Sequence, residues 1–363
     1  MFYLLLFFTF FYLAFIVFLI SGLFRHNTLA ISNVKTLPFI SIIIAARNEE
    51  DNLPFLIEDL VNQEYPLDKF EIIIINDRSS DSTPAILNNA AKNYSLIKII
   101  NISNKSESMT PKKNALSKGI NIAKGEIILS TDADCRLGKL WASSMAYSLI
   151  NKNGIIIGYS EILESSGTFF EKYQRLDFLA ILIANAGAGG WNYYWSGTGQ
   201  NLAYFKKDFI DINGFEPVKN DISGDDMYLV QSISRLKNGY IHIDPNSYVK
   251  TQAMETIKEF INQRIRWSSN SKQNLQKNPL FFLFLFVSLM ENILILFSFT
   301  FSQYWLFFFI LKLLSDALII FLGAKLFNRK INIEIFLFWA ILQPIYIPTI
   351  GILGLKERFN WKQ

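Results

Sequence analysis

The sequence predicts an α/β protein, a doubly wound and mostly parallel sheet set between hydrophobic segments long enough to cross a membrane. Three observations predict it. From residue 39 to residue 130, short β-branched runs alternate with helix-like stretches, the pattern that builds a parallel sheet. These runs are apolar on both faces, as interior strands of such a sheet are. On either side, residues 2–24 and 279–355 are dominated by apolar residues.

The first apolar block, residues 2–24, carries no charge. At about 1.5 Å per residue it can span about 30 Å of hydrocarbon. It lacks the basic start, short apolar core and small-residue cleavage site of a secretory signal peptide, so an uncleaved anchor is expected. Phe39–Ala46 reads as the first strand, followed by a polar turn and a helix from Glu50 to Gln63. Glu71–Ile75 is the second strand, ending in NDRSSDST before a helix around Pro84–Lys92. Leu96–Asn101, Pro111–Ala123 and Glu126–Ser130 continue as strand, helix and strand, the last ending at TDAD. Asn101–Thr110, crowded with Asn, Ser and Lys, reads as the linker. The second apolar block divides near Phe301–Tyr304 and at the basic loop 325–330 into about three segments. The expected domains are an anchor over 1–24, a globular domain over 36–270 and a membrane region over 279–355.

Of the 363 residues, 51% are hydrophobic and 18% charged, against about 25% charged in a soluble domain. The net charge of +4 is small, and no nucleic-acid partner is expected. Basic residues sit beside the apolar blocks, and such residues favour the cytoplasmic side. Arg25 and Lys35 therefore place the globular domain in the cytoplasm, and the span order puts Lys325, Arg329 and Lys330 there too. Lys356, Arg358 and Lys362 would fall outside if 331–354 crossed fully. Pro344 and Pro348 interrupt that segment, so a kinked or re-entrant hairpin stands beside a full crossing. Glu291, Lys312 and Asp316 lie within the apolar segments and should face the bundle interior, with Lys312 and Asp316 spaced to pair. Cys135 is the single cysteine and His26 and His242 the two histidines. A disulfide within the chain and a Cys/His zinc cluster are excluded, and any metal must sit on carboxylates, which suits Mg²⁺ or Mn²⁺.

Ligands of open α/β sheets bind beyond the carboxyl ends of the strands, and the polar clusters Ala46–Glu50, Asn76–Asp81 and Thr131–Asp134 fall at those ends. Asp132 and Asp134, two residues apart after a buried strand, are the usual protein share of a Mg²⁺ or Mn²⁺ site; in isolation the same pattern is a solvated turn. The ordered set SIIIAARNEE, IINDRSSD, PKKNAL, TDAD, SGDD and QRIRW resembles membrane-bound family 2 glycosyltransferases of the GT-A fold. QRIRW matches the Q-x-x-R-W signature of hyaluronan-, chitin- and cellulose-type synthases, and ceramide glucosyltransferases carry a close variant. The sequence departs at Asn76, where many relatives have a first aspartate.

The resemblance implies roles for individual residues. Ala46 and Glu49 would line the nucleotide-base pocket, and Asp77 would hydrogen-bond the base, unless it only caps its turn. Lys112 would approach the donor, with simple exposure to solvent as the alternative. Asp132 would contact the ribose and metal, and Asp134 would ligate the metal bridging the diphosphate. Asp226 would be the general base, with Asp225 as the fallback; a pair at a helix start can also be just a cap. Gly197, Gly199 and Asn201 would lie near the acceptor.

Gln263, Arg266 and Trp267 fall on one face of a helix beginning near Thr256. Arg266 suits a leaving diphosphate, and Trp267 a sugar or acceptor. A helix lying on the membrane with snorkelling arginines is the alternative. The implied reaction is an inverting transfer from a nucleotide diphosphate sugar, UDP being the common choice among lookalikes, to a lipid or lipid-linked acceptor at the cytoplasmic face of the cell (inner) membrane. A processive polysaccharide synthase is the alternative, and a non-catalytic sugar-nucleotide sensor or scaffold a remote one.

Overall fold

The computed structural model describes residues 1–27 and 37–356. Lys35, Arg358 and Lys362, on which part of the charge argument rests, lie outside the described residues. The chain divides into two compact units, residues 26–163 with 196–252, and residues 1–25 with 164–195 and 253–363. The domain expected over 36–270 is thus interrupted at 164–195 and ends at 252.

The first unit holds the strands. Its larger sheet contains β1 (Ile40–Ala46), β2 (Phe70–Asp77), β3 (Ile97–Ile102), β4 (Ile127–Ser130), β6 (Ile155–Gly158), β8 (Leu202–Phe205) and β9 (Gly239–His242), in the order β3-β2-β1-β4-β8-β6-β9. β1 pairs parallel with β2 and β4, and β2 with β3. β8 runs antiparallel to both β4 and β6, and β6 and β9 are parallel. Ile42, Ile44, Ile72 and Ile74 are fully buried, which explains why β1 and β2 are uninterrupted apolar runs: helices cover both faces. Those helices are α2 (Leu53–Val61), α3 (Thr83–Asn93), α4 (Pro111–Ile122), α5 (Trp141–Lys152), α7 (Lys206–Asp211) and α8 (Asp225–Leu236). α2, α3 and α4 each carry proline in the first turn, where its missing N–H costs nothing. β5 (Arg136–Leu137), β7 (Ser160–Ile162) and β10 (Val249–Thr251) form a second small sheet. The stretch 101–110 is a loop inside this unit, tied by the Thr110 N–H to the Lys219 carbonyl, and does not link two units.

The second unit is helical: α1 (Phe2–Leu23), α6 (Phe169–Gly189), α9 (Ile257–Ser269), α10 (Ser271–Lys277), α11 (Pro279–Phe297), α12 (Trp305–Leu326) and α13 (Ile333–Leu355). Among the described residues, four helices, starting at Phe2, Pro279, Trp305 and Ile333, are long and apolar enough to cross a membrane. α13 runs unbroken through Pro344 and Pro348, so the expected interruption is absent. Both prolines are buried, where neighbouring helices shield the backbone groups that proline frees. Lys312 and Asp316 pair at 2.6 Å. Tyr12 donates to Asp316, and Thr9 to Glu291, so the charges of these apolar helices do face inward. α1 and α6 meet backbone to backbone: a Cβ on Gly22 would lie 1.8 Å from the Gly187 carbonyl oxygen. The glycines of NAGAGGWNYYW therefore serve helix packing. Its last residue, Trp195, is fully buried and stacks on Phe281 and Phe284.

Candidate active site

The carboxyl ends of β1, β2 and β4 carry the polar turns. The first two turns are zipped together. Asn48 and Arg78 adopt left-handed φ angles of 52° and 57°, which turns the chain sharply after each strand. The Glu49 N–H then donates to Thr83 Oγ1 at 2.8 Å, and the Ser80 N–H to Asn48 Oδ1 at 2.8 Å. Ala46 ends β1, buried and paired in register with Asn76. Asp77 is buried and accepts two bonds from Arg78, at 2.8 and 3.1 Å. Glu49 accepts from Asn52 at 2.8 Å.

Beyond β4 stand Asp132 and Asp134, and opposite them the first turn of α4 delivers Lys112. Lys112 Nζ lies 2.8 Å from Asp132 Oδ1 and 3.8 Å from Asp225 Oδ2. Burial alone would lower the Lys112 ammonium, but the charges of Asp132, Asp225 and Asp226 outweigh it and hold it well above the usual lysine range. Burial, together with the charges of Asp132 and Glu49, pushes Asp134 up to about 6. Lys112 thus faces carboxylates on two sides.

Among the described residues no group of three or more His, Cys, Asp or Glu side chains is arranged to hold a metal. A Mg²⁺ or Mn²⁺ ion needs fewer, since such ions take one or two carboxylates with water and substrate phosphates. Asp132 and Asp134 fit that share, and the raised ionisation of Asp134 marks a carboxylate whose charged form a cation would stabilise.

Asp225 and Asp226 open α8 after Gly224, whose φ of 83° is left-handed. Asp226 Oδ1 accepts the Met227 N–H at 2.7 Å and Oδ2 the Gly199 N–H at 3.2 Å. Both bonds favour the ionised form, yet burial and the neighbouring Asp225 charge prevail and push Asp226 up to about 6. Gly199 sits against this group: a Cβ there would lie 3.6 Å from Lys112 Nζ and 3.8 Å from Asp226 Cβ. Lys112, Asp132, Asp134, Asp225, Asp226 and Gly199 therefore converge from one strand end, two helix starts and one glycine loop.

Two expected acceptor-side residues are placed elsewhere. Asn201 is fully buried. Its Oδ1 accepts from Trp141 Nε1 at 2.9 Å and its Nδ2 donates to the carbonyls of Tyr159 and Ser247 at 2.8 Å each, leaving it no free face for an acceptor. Gly197 is buried against Val230, Ile157 and Leu202, a packing position.

In the helical unit, Thr256 and Glu259 form a capping box that starts α9, as the sequence predicts. Gln263, Arg266 and Trp267 are partly exposed on it. Sequence reasoning missed Arg264, which is buried and ion-paired with Asp177 of α6 at 2.7 Å. Asp177 shares α6 with Glu171, Lys172 and Arg175, so the sequence did not mark it as a buried charge in need of a partner.

A family model for glycosyl transferase family 2 matches residues 41–223, a stretch that contains Asp77, Lys112, Asp132 and Asp134 and stops just short of Asp225. The probable glycosyltransferase YdaM of Bacillus subtilis is 29% identical over 306 residues, covering 80% of this chain and 70% of its own length. The beta-monoglucosyldiacylglycerol synthase of Trichormus variabilis is 41% identical over 147 residues, 39% of this chain and 30% of its own. The poly-beta-1,6-N-acetyl-D-glucosamine synthase of Staphylococcus epidermidis is 26% identical over 261 residues, 70% of this chain and 60% of its own. Among solved structures, the mannosyltransferase PcManGT from Pyrobaculum calidifontis, in complex with GDP-Man and Mn²⁺, aligns over 98% of this chain and 99% of its own. Its TM-score is 0.63 at 14% identity, a likeness of fold, and the fold is GT-A. The chain belongs to glycosyl transferase family 2 and is a glycosyltransferase.

Proposed function

We propose that the protein transfers one sugar from a nucleotide diphosphate sugar, a UDP sugar in the first instance, to a lipid or lipid-linked acceptor. The observation that carries this reading is the convergence of Asp132, Asp134 and Asp226 on Lys112. One end of that cluster suits a donor diphosphate and the other an acceptor hydroxyl. Ala46, Glu49 and Asp77 would hold the base. The acceptor oxygen attacks the anomeric carbon and gives its proton to Asp226, and the bond to the diphosphate oxygen breaks with its electron pair. One such displacement inverts the anomeric configuration. The departing diphosphate would need positive charge, which Lys112 beside Asp132 offers in part. A Mg²⁺ or Mn²⁺ ion on Asp132 and Asp134 would supply further positive charge there.

Four apolar helices and a relative named as a diacylglycerol-lipid synthase support a membrane acceptor. Arg25, Lys325, Arg329 and Lys330 support a cytoplasmic strand unit under the positive-inside rule, and the unbroken α13 would then carry Lys356 to the far side.

The test is nucleotide release by the purified protein in lipid with Mn²⁺, across a panel of nucleotide sugars, with products separated by mass. Release from one donor, abolished in Asp226→Asn, with a lipid gaining one sugar is the expected result. A long polymer would replace this reading with a processive synthase. Metal-dependent nucleotide binding without turnover would favour a sensor.

A further inference from the structure

Two adjacent lysines lie in the first turn of α4, and the proposed transfer uses only the first. Lys112 faces the carboxylates, whereas Lys113 is 1% exposed, a depth that lysine reaches only with a partner. That partner is a main-chain group: Lys113 Nζ donates to the Asp221 carbonyl. Asp221 belongs to the short segment that leads into α8 and its two aspartates.

This segment is laid against the first turn of α4 at three places. The Thr110 N–H donates to the Lys219 carbonyl at 2.9 Å. Lys113 holds the Asp221 carbonyl, and Lys112 Nζ lies 3.8 Å from Asp225 Oδ2. The Thr110 hydroxyl also points at the Asp221 carbonyl, but from 3.4 Å, too far to hold it alone. Between Asp221 and Asp225 the chain turns at Gly224 with a φ of 83°. The place of Asp226 is therefore set from α4, through the carbonyl that Lys113 holds.

Packing alone does not call for a lysine here. Burial holds the Lys113 ammonium below the usual lysine range, and the charges of Asp225, Asp221 and Asp226 offset this only in part. An apolar side chain of similar length, such as methionine, would fill the space without the cost of burying an ammonium. It could not bond the carbonyl. Lysine brings a compact donor on a long stem, and so fixes the chain at one point between two helix starts.

We infer that Lys113 is a positioning residue for sugar transfer: by holding the Asp221 carbonyl it fixes the entry to α8, and with it the place of Asp226 relative to Lys112 and Asp132. The inference rests on the reading of Asp226 as the base. The first turn of α4 then serves both sides of the transfer, Lys112 at the donor end and Lys113 through the base.

The experiment is a double-mutant cycle on the full chain in lipid vesicles, using the donor found by nucleotide release. Rates are normalised to the fraction of protein that still binds the nucleoside diphosphate. Lys113→Met should lower kcat by about tenfold with the donor KM little changed, a loss that a displacement of about 1 Å or less can produce. In an Asp226→Asn background it should cost no more than about threefold, because residues that act through one another are not additive. Lys113→Gln, which keeps an N–H donor without the charge, is read by the same criteria if Lys113→Met binds no nucleotide. A general loosening of α4 would disturb Lys112 too, so a donor KM that rises in parallel would overturn the inference. Equal losses in both backgrounds, losses that vanish on normalisation, or two variants that bind no nucleotide would also overturn it and leave Lys113 to the fold. If wild type is active and Asp226→Asn abolishes transfer while Lys113→Met changes nothing, the inference alone fails. If wild type releases nucleotide from no donor, or Asp226→Asn is fully active, the reading beneath it fails and takes the inference with it.

Discussion

Lys112 Nζ lies 2.8 Å from Asp132 Oδ1, so the lysine that opens α4 neutralises a carboxylate at the end of β4 while it also faces the aspartates that open α8. One cation therefore serves the proposed donor side and the proposed base together. Lys112→Met should shift the pH at which Asp226 ionises upward by about one further unit, the size of effect expected when a nearby opposite charge is lost. In a pH series of kcat/KM the acid limb should move upward by that amount, and Lys112→Arg should restore most of the shift. An unmoved limb would show that Lys112 does not bear on the base.

The pH dependence of the unmodified protein follows from Asp226, which burial and the Asp225 charge push up to about 6. A general base must be ionised. Activity should therefore be flat above that value and fall about tenfold per pH unit below it. For stability the sign is opposite, since a carboxyl that is harder to ionise in the fold favours folding when protonated, and that contribution is lost as pH rises through about 6. Asp226→Asn should lower kcat by about 10²–10⁴-fold and abolish the acid limb. A residual activity that keeps the same limb would assign the base elsewhere.

The first four long strands and the polar turns at their ends were legible because local signals and global fold agree there: buried β-branched runs, prolines at helix starts, and loaded turns at strand ends. Three features were not legible. The strand unit is interrupted at residues 164–195 because the partners of α6, α1 and the later apolar helices, lie far away in sequence. α13 holds through Pro344 and Pro348, where tertiary shielding overrides a strong local breaker. Asn201 and Arg264 are polar residues whose partners lie across the fold or on a neighbouring helix, and motif spacing cannot tell such a residue from one that faces substrate.

Asn201 makes that distinction measurable. Its amide satisfies Trp141 Nε1 and the carbonyls of Tyr159 and Ser247 with no exposure to solvent. Asn201→Ala would take away the bonds to Trp141 Nε1 and the Ser247 carbonyl and one of the two to the Tyr159 carbonyl, which keeps the Val249 N–H, at about 1–3 kcal/mol for each group left unpaired before relaxation. Denaturant unfolding should show a loss of several kcal/mol, with the acceptor KM of the surviving folded protein unchanged. A raised acceptor KM at unchanged stability would return Asn201 to the acceptor side.

Gly22 tests the contact between α1 and α6, and two opposing effects decide the sign. Replacing a helical glycine by alanine stabilises a helix by about 1 kcal/mol when nothing else changes. At Gly22, however, the new Cβ would lie 1.8 Å from the Gly187 carbonyl oxygen and 3.0 Å from Trp191 Cδ1, and a Cβ on Gly190 would likewise lie 2.0 Å from the Gly22 carbonyl oxygen. Overpacking of this kind costs about 1–3 kcal/mol or more, and a backbone oxygen cannot rotate aside as a side chain can. Close approach of small residues is also how apolar helices associate where lipid offers no hydrophobic drive, so the loss should be felt in lipid as well as in detergent. Gly22→Ala should therefore lower the thermal midpoint, whereas Val17→Ala, at an exposed position of the same helix, should leave it nearly unchanged. A rise in the midpoint for Gly22→Ala would mean that propensity wins and that the two backbones are not in contact.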